Sequence, residues 1–554
     1  MITRNYGLSG LITSLFLAST ASAQVSGTVV ESTMMRPVTG ATVSLQATTQ
    51  RTVTGHNGTF TLPDATGSGL VIVAAKKGSY NQSVTVSGGA TGVLLVLEAV
   101  PLSNDPYYMF LPPGACAGCH PDQLDQWTDS PMANAGLNTW VYDIYDGTGT
   151  SGGMGGFVYT RDSVHYGDNP ASECASCHQP EPWVERGNVG ALEDLGALSD
   201  GAMHGISCET CHKIAHVDPS KVNFPGIWPG AVDLIRPSGA ETQVQFGVYE
   251  DASFALPSVM RPAHQPQLTS TVCAACHQDK NDPDNDGEFE ESNGVISEPT
   301  YLEWLATPYA DPQSPLAATC VDCHMPSYGA TRACSLGGVP ERDPEEIRHH
   351  RIEGTTATFL ENAAEVKIRP IRRGAHSIEV QVDVTNSATG HHLPTGVTVR
   401  NMILLVEAWR EADGRPLVSS GTQVVHDLGG IGDPAQGYYA GLPGKFFAKV
   451  NHDASLQGPT FFTDATGIQF DNRIPALETD TSSYSFRVLN GTGAVHVRAR
   501  LIYRRAFRFL VDAKAWTEDG HGNPLEDVQA PHFGHLMEQA DRVFRIRGRS
   551  ASPR

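Results

Sequence analysis

Cys116-Ala-Gly-Cys119-His120, Cys174-Ala-Ser-Cys177-His178, Cys208-Glu-Thr-Cys211-His212, Cys273-Ala-Ala-Cys276-His277 and Cys320-Val-Asp-Cys323-His324 are five copies of one pentapeptide in a single chain. Chance alone predicts about 0.01 copies at this composition and length, so the repetition is a signal. Two thiols three residues apart suit the two vinyl edges of a porphyrin. The residue after the second thiol is then placed to reach the iron with a neutral imidazole. Each copy therefore reads as a c-type haem attachment site, with cofactor-binding Cys116, Cys119, Cys174, Cys177, Cys208, Cys211, Cys273, Cys276, Cys320 and Cys323. His120, His178, His212, His277 and His324 become the proximal iron ligands, and five covalent haems follow. Zinc or disulfide pairing is the competing reading, but neither requires a His directly after every second Cys.

The remaining composition narrows what surrounds these sites. With 554 residues the chain has room for three or four domains. A formal net charge of −22 excludes a nucleic-acid binder and favours solubility or a cationic partner surface. Ten of the eleven cysteines lie in the five motifs, leaving Cys334, so this is no disulfide framework. At the N-terminus, Arg4, an apolar run from Leu8 to Ala18 and the small residues Ala21-Ser22-Ala23 read as a secretory signal over 1–23. The run is too short for a membrane span, and no later segment suits one. A periplasmic or extracellular protein without a transmembrane segment is expected, in keeping with haem attachment after export.

The segment 24–101 shows short β-type runs (25–31, 41–46, 59–62, 70–74, 92–97) separated by Gly, Pro, Asn and Asp, the pattern of a small antiparallel β-sandwich. Gly27-Thr-Val, Pro37-Val-Thr-Gly40-Ala41-Thr-Val43, Gly58-Thr-Phe60 and Tyr80 resemble the carboxypeptidase regulatory-like β-sandwich family. That resemblance implies an accessory module and no catalysis. From 102 to 355 the strand pattern gives way to Pro, Gly and short helical pieces around the motifs. A haem-packed domain, mostly α or irregular, is expected there, because the macrocycles supply apolar core.

Within it, Gln126-Trp127-Thr-Asp-Ser130-Pro-Met132-Ala133, His204-Gly205-Ile-Ser-Cys208-Glu209-Thr-Cys211-His212 with His216, and Cys320-Val-Asp-Cys323-His324-Met325-Pro326 followed by His350-Arg351-Ile-Glu-Gly354 resemble the multihaem cytochromes that include the tetrahaem carriers of ammonia oxidisers. The resemblance covers under half of the chain.

Each iron needs a sixth ligand or keeps an open face. His165 and His264 stand nine residues ahead of a motif's first Cys, His204 four ahead of Cys208, and His216 four after His212. The resemblance implies distal ligation by His204, His216, His264 and His350, with Ile352 replacing the usual aromatic after His350-Arg351 and His349 able to substitute. His165 precedes a turn-like Tyr166-Gly-Asp-Asn-Pro170 and stays open between ligand and exposed residue. Met132 stands where that family often has a His; it either ligates, giving a His/Met haem, or packs against a porphyrin.

Asp282-Pro-Asp284-Asn-Asp286-Gly287 reproduces the first half of a calcium loop, but position twelve is Asn293 in place of Glu, so Ca2+ at Asp282, Asp284 and Asp286 competes with a solvated acidic loop. In 356–554 alternation returns, as at Ser377–Val384, Met402–Trp409 and Val495–Tyr503, and a second, larger β-sandwich is expected. Its Gly390-His391-His392-Leu-Pro394 turn resembles a signature of C-terminal β-domains in exported multihaem cytochromes. The two imidazoles either reach back to a haem or are solvated.

Two function classes remain. With all irons six-coordinate the chain is an electron carrier between redox partner proteins or other cytochromes; with one five-coordinate it is an oxidoreductase for a small nitrogen or sulfur compound. The surplus of candidate ligands favours the carrier. A homo-oligomer or a haem filament with ligands exchanged between subunits stays open. Alkaline pyridine haemochrome analysis of the mature chain is expected to give five c-type haems, and four or fewer in a host with working haem attachment would sink the reading.

Overall fold

A computed structural model describes residues 24–164, 173–239, 243–253, 260–284, 286–373, 376–488 and 493–546. The expected signal segment 1–23 and His165 lie outside the described residues. What is described falls into two compact units. The first runs to Ala99 and takes in Glu250–Ser253; the second holds the remainder.

In the first unit, Val25–Glu31 is the centre of a three-stranded sheet between Thr59–Leu62 and Val93–Leu97. The second sheet has the order Arg51–Val53, Thr42–Leu45, Leu70–Ala75, Gln82–Val86. Val29, Val43, Leu62, Ile72 and Leu95 from both sheets form one apolar core. A purely antiparallel arrangement was expected, but Val25–Glu31 and Val93–Leu97 pair in parallel, with Gly27 opposite Val93. A Cβ at Gly27 would come within 2.0 Å of Val93 O, so this ladder depends on glycine there. Glu250 and Asp251 belong to this unit through their carboxylates, which accept from Thr42 Oγ1 at 2.8 Å and Ala47 N at 2.6 Å.

The second unit begins with the motifs. Cys174–His178, Cys208–His212 and Cys320–His324 are each a helix of little more than one turn, and the fourth motif ends the helix Ser270–His277. One turn suffices, because residues i, i+3 and i+4 then share one side. Ser207 caps the third motif, and Thr319 closes a capping box with Asp322 on the fifth. Strands persist here as three two-stranded ribbons: Ile214–Val217 with Val232–Leu234, Val244–Gly247 with Arg261–His264, and Asp279–Lys280 with Ile296–Glu298. They are too short for the alternation that marks a strand in sequence.

The C-terminal part stacks two four-stranded sheets. One has the order Ala364–Arg373, Ser377–Asn386, Thr479–Arg487, Val418–Ser419; the other Gly444–Phe447, Asn401–Arg410, Gly493–Arg504, His535–Ile546. Val380, Val382 and Val384 meet Met402, Leu404, Val406, Val497, Ala499 and Leu501 in the largest core of the molecule. The opposite face of the second sheet is also covered: Ile403, Leu405 and Ile502 pack under Phe507, Leu510 and Trp516. Alternation was expected at Met402–Trp409, but burial on both faces makes Asn401–Arg410 a near-continuous apolar run.

A boundary at 355/356 was expected, yet the haem-bearing part and these sheets share one compact unit. Trp140 stacks on Trp516 with ring centroids 3.9 Å apart, and Trp516 Nε1 donates to Asp143 Oδ2 at 2.7 Å. The fully buried Lys514 ammonium donates to Asp143 O and, at 2.6 Å, to Gly153 O. Burial of a lysine is tolerated only with such partners, so this junction is a specific part of the fold. Deleting Val25–Val100 is expected to leave haem content and the visible spectrum unchanged, whereas truncation after Asn362 is expected to abolish soluble holoprotein. The haemochrome yield of the two truncated chains checks both.

Candidate haem-binding sites

A neutral imidazole ligates iron through one nitrogen only when its other nitrogen keeps the proton and has somewhere to donate it. Four of the five motif histidines meet this condition by a direct hydrogen bond, and the fifth has a carboxylate nearby. His120 Nδ1 donates to Ala333 O at 2.6 Å, His178 to Ala135 O at 3.2 Å, His212 to Phe246 O at 2.6 Å and His324 to Glu353 O at 2.6 Å. His277 Nδ1 faces the Glu298 carboxylate at 3.8 Å. The lone pair is thereby assigned to Nε2. Burial lowers the pKa of His178, His212 and His324, keeping them neutral as ligands must be. At His277 burial acts the same way, but Glu298 overrides it and raises the pKa, which makes that imidazole the more basic donor.

The distal candidates follow the same pattern. His204 Nδ1 meets the buried Glu181 carboxylate at 3.1 Å, His216 Nδ1 meets Gln267 Oε1 at 3.0 Å, His350 Nδ1 donates to Arg348 O at 3.1 Å, and His391 Nδ1 donates to His392 O at 2.9 Å. His350 is pushed down to about 4 by burial and by His212 beside it. His264 ends a strand whose partner residue, Gly247, directly follows the Phe246 that holds His212. Met132 enters through its carbonyl, which accepts from Ile206 N at 2.9 Å. His349 turns elsewhere, its Nδ1 accepting from Arg351 N at 3.2 Å.

One pair has the ring separation expected of two axial ligands. The rings of His324 and His391 lie 6.4 Å apart, centroid to centroid, with planes 12° from parallel. Two imidazoles sharing one metal at roughly 2 Å per nitrogen have centroids about 6 Å apart. His391 comes from the connection between the two C-terminal sheets, and its neighbour His392 faces Glu303 at 3.5 Å. Of the turn's two imidazoles the structure thus brings His391, and not His392, opposite a motif histidine.

The motifs are also brought to one another. Cys116 lies beside Cys208, Cys177 beside Cys276, and Cys273 beside Cys320. Cys211 is pushed up to about 12 by burial and by Cys276, and Cys320 N donates to Ser270 Oγ at 2.9 Å at the start of the fourth motif's helix. The first motif therefore adjoins the third, the third adjoins the fourth, and the second and fifth both adjoin the fourth. Cys334, left over in sequence, lies against Cys119.

His521 carried no spacing signal. Its Nε2 meets the Asn138 amide at 3.1 Å, and it counts with His277 among the imidazoles around His178. Its loop comes from the C-terminal part, and no local pattern in the sequence announces it. In the acidic loop, carboxylate oxygens of Asp282, Asp284, Asp286 and Glu291 lie within 4.8 Å of one another, and Gly287 takes the positive φ of 85° that the sixth position of such a loop needs. The fourth carboxylate is Glu291, and its pKa is raised by burial and by the three aspartates.

The donor set fits covalent haem: paired thiols one turn apart, an adjacent imidazole with its proton already placed, and further imidazoles of the same tautomer nearby. Residues 115–213 match the family model described as cytochrome c554 and c-prime. No curated protein matches the chain. Among solved structures, a penta-heme cytochrome c552 from Thermochromatium tepidum is similar at 20% identity and a TM-score of 0.52, over 78% of this chain and 99% of that one, a likeness of fold. A type II cohesin–X-dockerin complex from Acetivibrio cellulolyticus matches 14% of this chain and 58% of that one at 20% identity, and its TM-score of 0.13 carries no argument. The motifs, the family match and the shared fold together support a multihaem c-type cytochrome with covalently bound haem c.

Proposed function

We propose that the chain is an exported pentahaem cytochrome that passes electrons along adjoining haems between redox partners. The contiguity of the five motifs carries this reading: none stands apart from the others. Bound haem c supplies a one-electron ferric/ferrous couple at each motif. The chain's own part is to fix each imidazole by its Nδ1 bond, to bury the ligands away from water, and to hold neighbouring sites in contact. The pentahaem neighbour supports the count of five, and the Arg4-to-Ala23 segment supports export.

Distal ligation by His204, His216, His264 and His350 belongs to the same proposal, with His391 opposite His324. His165 and Met132 are the remaining candidates. Ca2+ at Asp282, Asp284, Asp286 and Glu291 is part of it as well, because four close carboxylates repel unless a cation or protons offset them. A thermal midpoint unmoved by chelator and by added Ca2+ would remove that element.

The second motif favours a second reading. The imidazole of the C-terminal part that acts on His178, His521, is exposed and engaged by Asn138 through Nε2, so it does not stand ready as a ligand. A haem held at the second motif would then be open to a small nitrogen or sulfur compound, and the chain would be an oxidoreductase.

Carbon monoxide added to the dithionite-reduced protein separates the two. A carrier is expected to show no spectral change, whereas stoichiometric binding at one haem in five establishes the second reading. In His391→Ala, one of the five haems is expected to turn high-spin in electron paramagnetic resonance and to bind carbon monoxide. An unchanged low-spin spectrum in that variant would mean that His391 is no ligand.

A further inference from the structure

The turn that carries His391 is gripped by a buried charge. Glu303, on the helix Thr300–Leu305 of the haem-bearing part, and Arg473, which follows the strand Gly467–Asp471, each have side chains only 4% exposed and meet at 2.6 Å. Arg473 is in turn held bidentately by Asp471, at 2.9 and 2.7 Å. The second oxygen of Glu303 accepts from His392 N at 3.1 Å and from Thr395 Oγ1 at 2.6 Å, on either side of Leu393-Pro394. The other side of the turn is tied by His391 O, which accepts from Asn386 Nδ2 at 2.8 Å and from Thr389 Oγ1 at 2.7 Å. Gly390 is pressed so close to the same helix that a Cβ there would meet Trp304 at 3.3 Å.

Burying a carboxylate and a guanidinium costs more than an apolar pair of the same volume, so stability alone does not account for this arrangement. What it does account for is position. The backbone atom Glu303 holds belongs to His392, whose own carbonyl fixes His391 Nδ1. We infer that Glu303 is the positioning residue for His391 and that the charges of Glu303 and Arg473 set the redox potential at the fifth haem motif. The inference rests on the reading of His391 as that haem's ligand. A buried anion near the iron favours the ferric state, and a buried cation disfavours it.

Spectropotentiometry and electron paramagnetic resonance on the holoprotein test this. Glu303→Gln keeps an acceptor oxygen, so all haems are expected to remain low-spin while one of the five midpoints rises. Arg473→Met is expected to lower the same midpoint, and the double variant to bring it back toward the wild-type value. Glu303→Ala loses the acceptor and is expected to make one haem partly high-spin. Loss of packing alone would move both single variants in the same direction or leave the midpoints unmoved, and either result overturns the inference. His391→Ala run alongside separates the levels: no high-spin signal there fails the ligand reading itself, whereas a high-spin signal there with inert Glu303 variants fails only the positioning role. Should Glu303→Ala not fold, the opposite signs of the Glu303→Gln and Arg473→Met shifts still decide.

Discussion

The placement of one proton governs the architecture. An imidazole whose Nδ1–H is anchored presents a fixed Nε2 lone pair, and the motif histidines find their anchors at Ala333, Ala135, Phe246, Glu298 and Glu353. Four of these anchors are backbone carbonyls in segments remote from their histidines, and one is a carboxylate. Irregular chain, which leaves carbonyls unspent by helix or sheet, is the natural source of such acceptors. The short ribbons and single-turn helices between 102 and 355 therefore serve a purpose that longer regular elements would defeat.

The motif-bearing part has its own apolar cluster around Tyr142, Trp183 and Ile227, and the C-terminal sheets add a larger one beside it. The sheets meet the motif-bearing part at three points: the Trp140–Trp516 stack, the Lys514 ammonium under Asp143 and Gly153, and the Glu303–Arg473 pair under the His391 turn. A side chain delivered from a sheet connection, as His391 is, inherits the stiffness of the sheet. The fifth motif is thus held between a one-turn helix and a much larger β-structure.

Local chemistry was legible in the sequence and neighbourhood was not. Cys-x-x-Cys-His spacing exposed the attachment sites because thioether and iron chemistry act over five residues. The alternation of Ser377–Val384 and Val495–Tyr503 exposed strands because one face of each is wet or shared. Met402–Trp409 was also read as alternation and is a strand, but it is buried on both faces, so its period was not the true signal. Which motif touches which, the parallel pairing of Val25–Glu31 with Val93–Leu97, the merging of the haem-bearing part with the C-terminal sheets, and the approach of His521 to His178 all arise from contacts between residues far apart in the chain. No period or spacing encodes those. The His391-His392 turn lies between the two cases: its composition marked it as unusual, but only the ring geometry against His324 distinguished one imidazole from the other.

Among the described residues, the fourth motif adjoins the second, third and fifth, and the first adjoins the third. Viewed as a graph, this is a tree with three tips and a single vertex of degree three. Removing a tip shortens one arm and leaves the rest connected; removing the fourth site breaks the network into three fragments. Removing the third site cuts off the first alone, so a defect confined to Cys273–His277 is the one single-site lesion that separates the second, the fifth and the joined first and third sites from each other at a stroke.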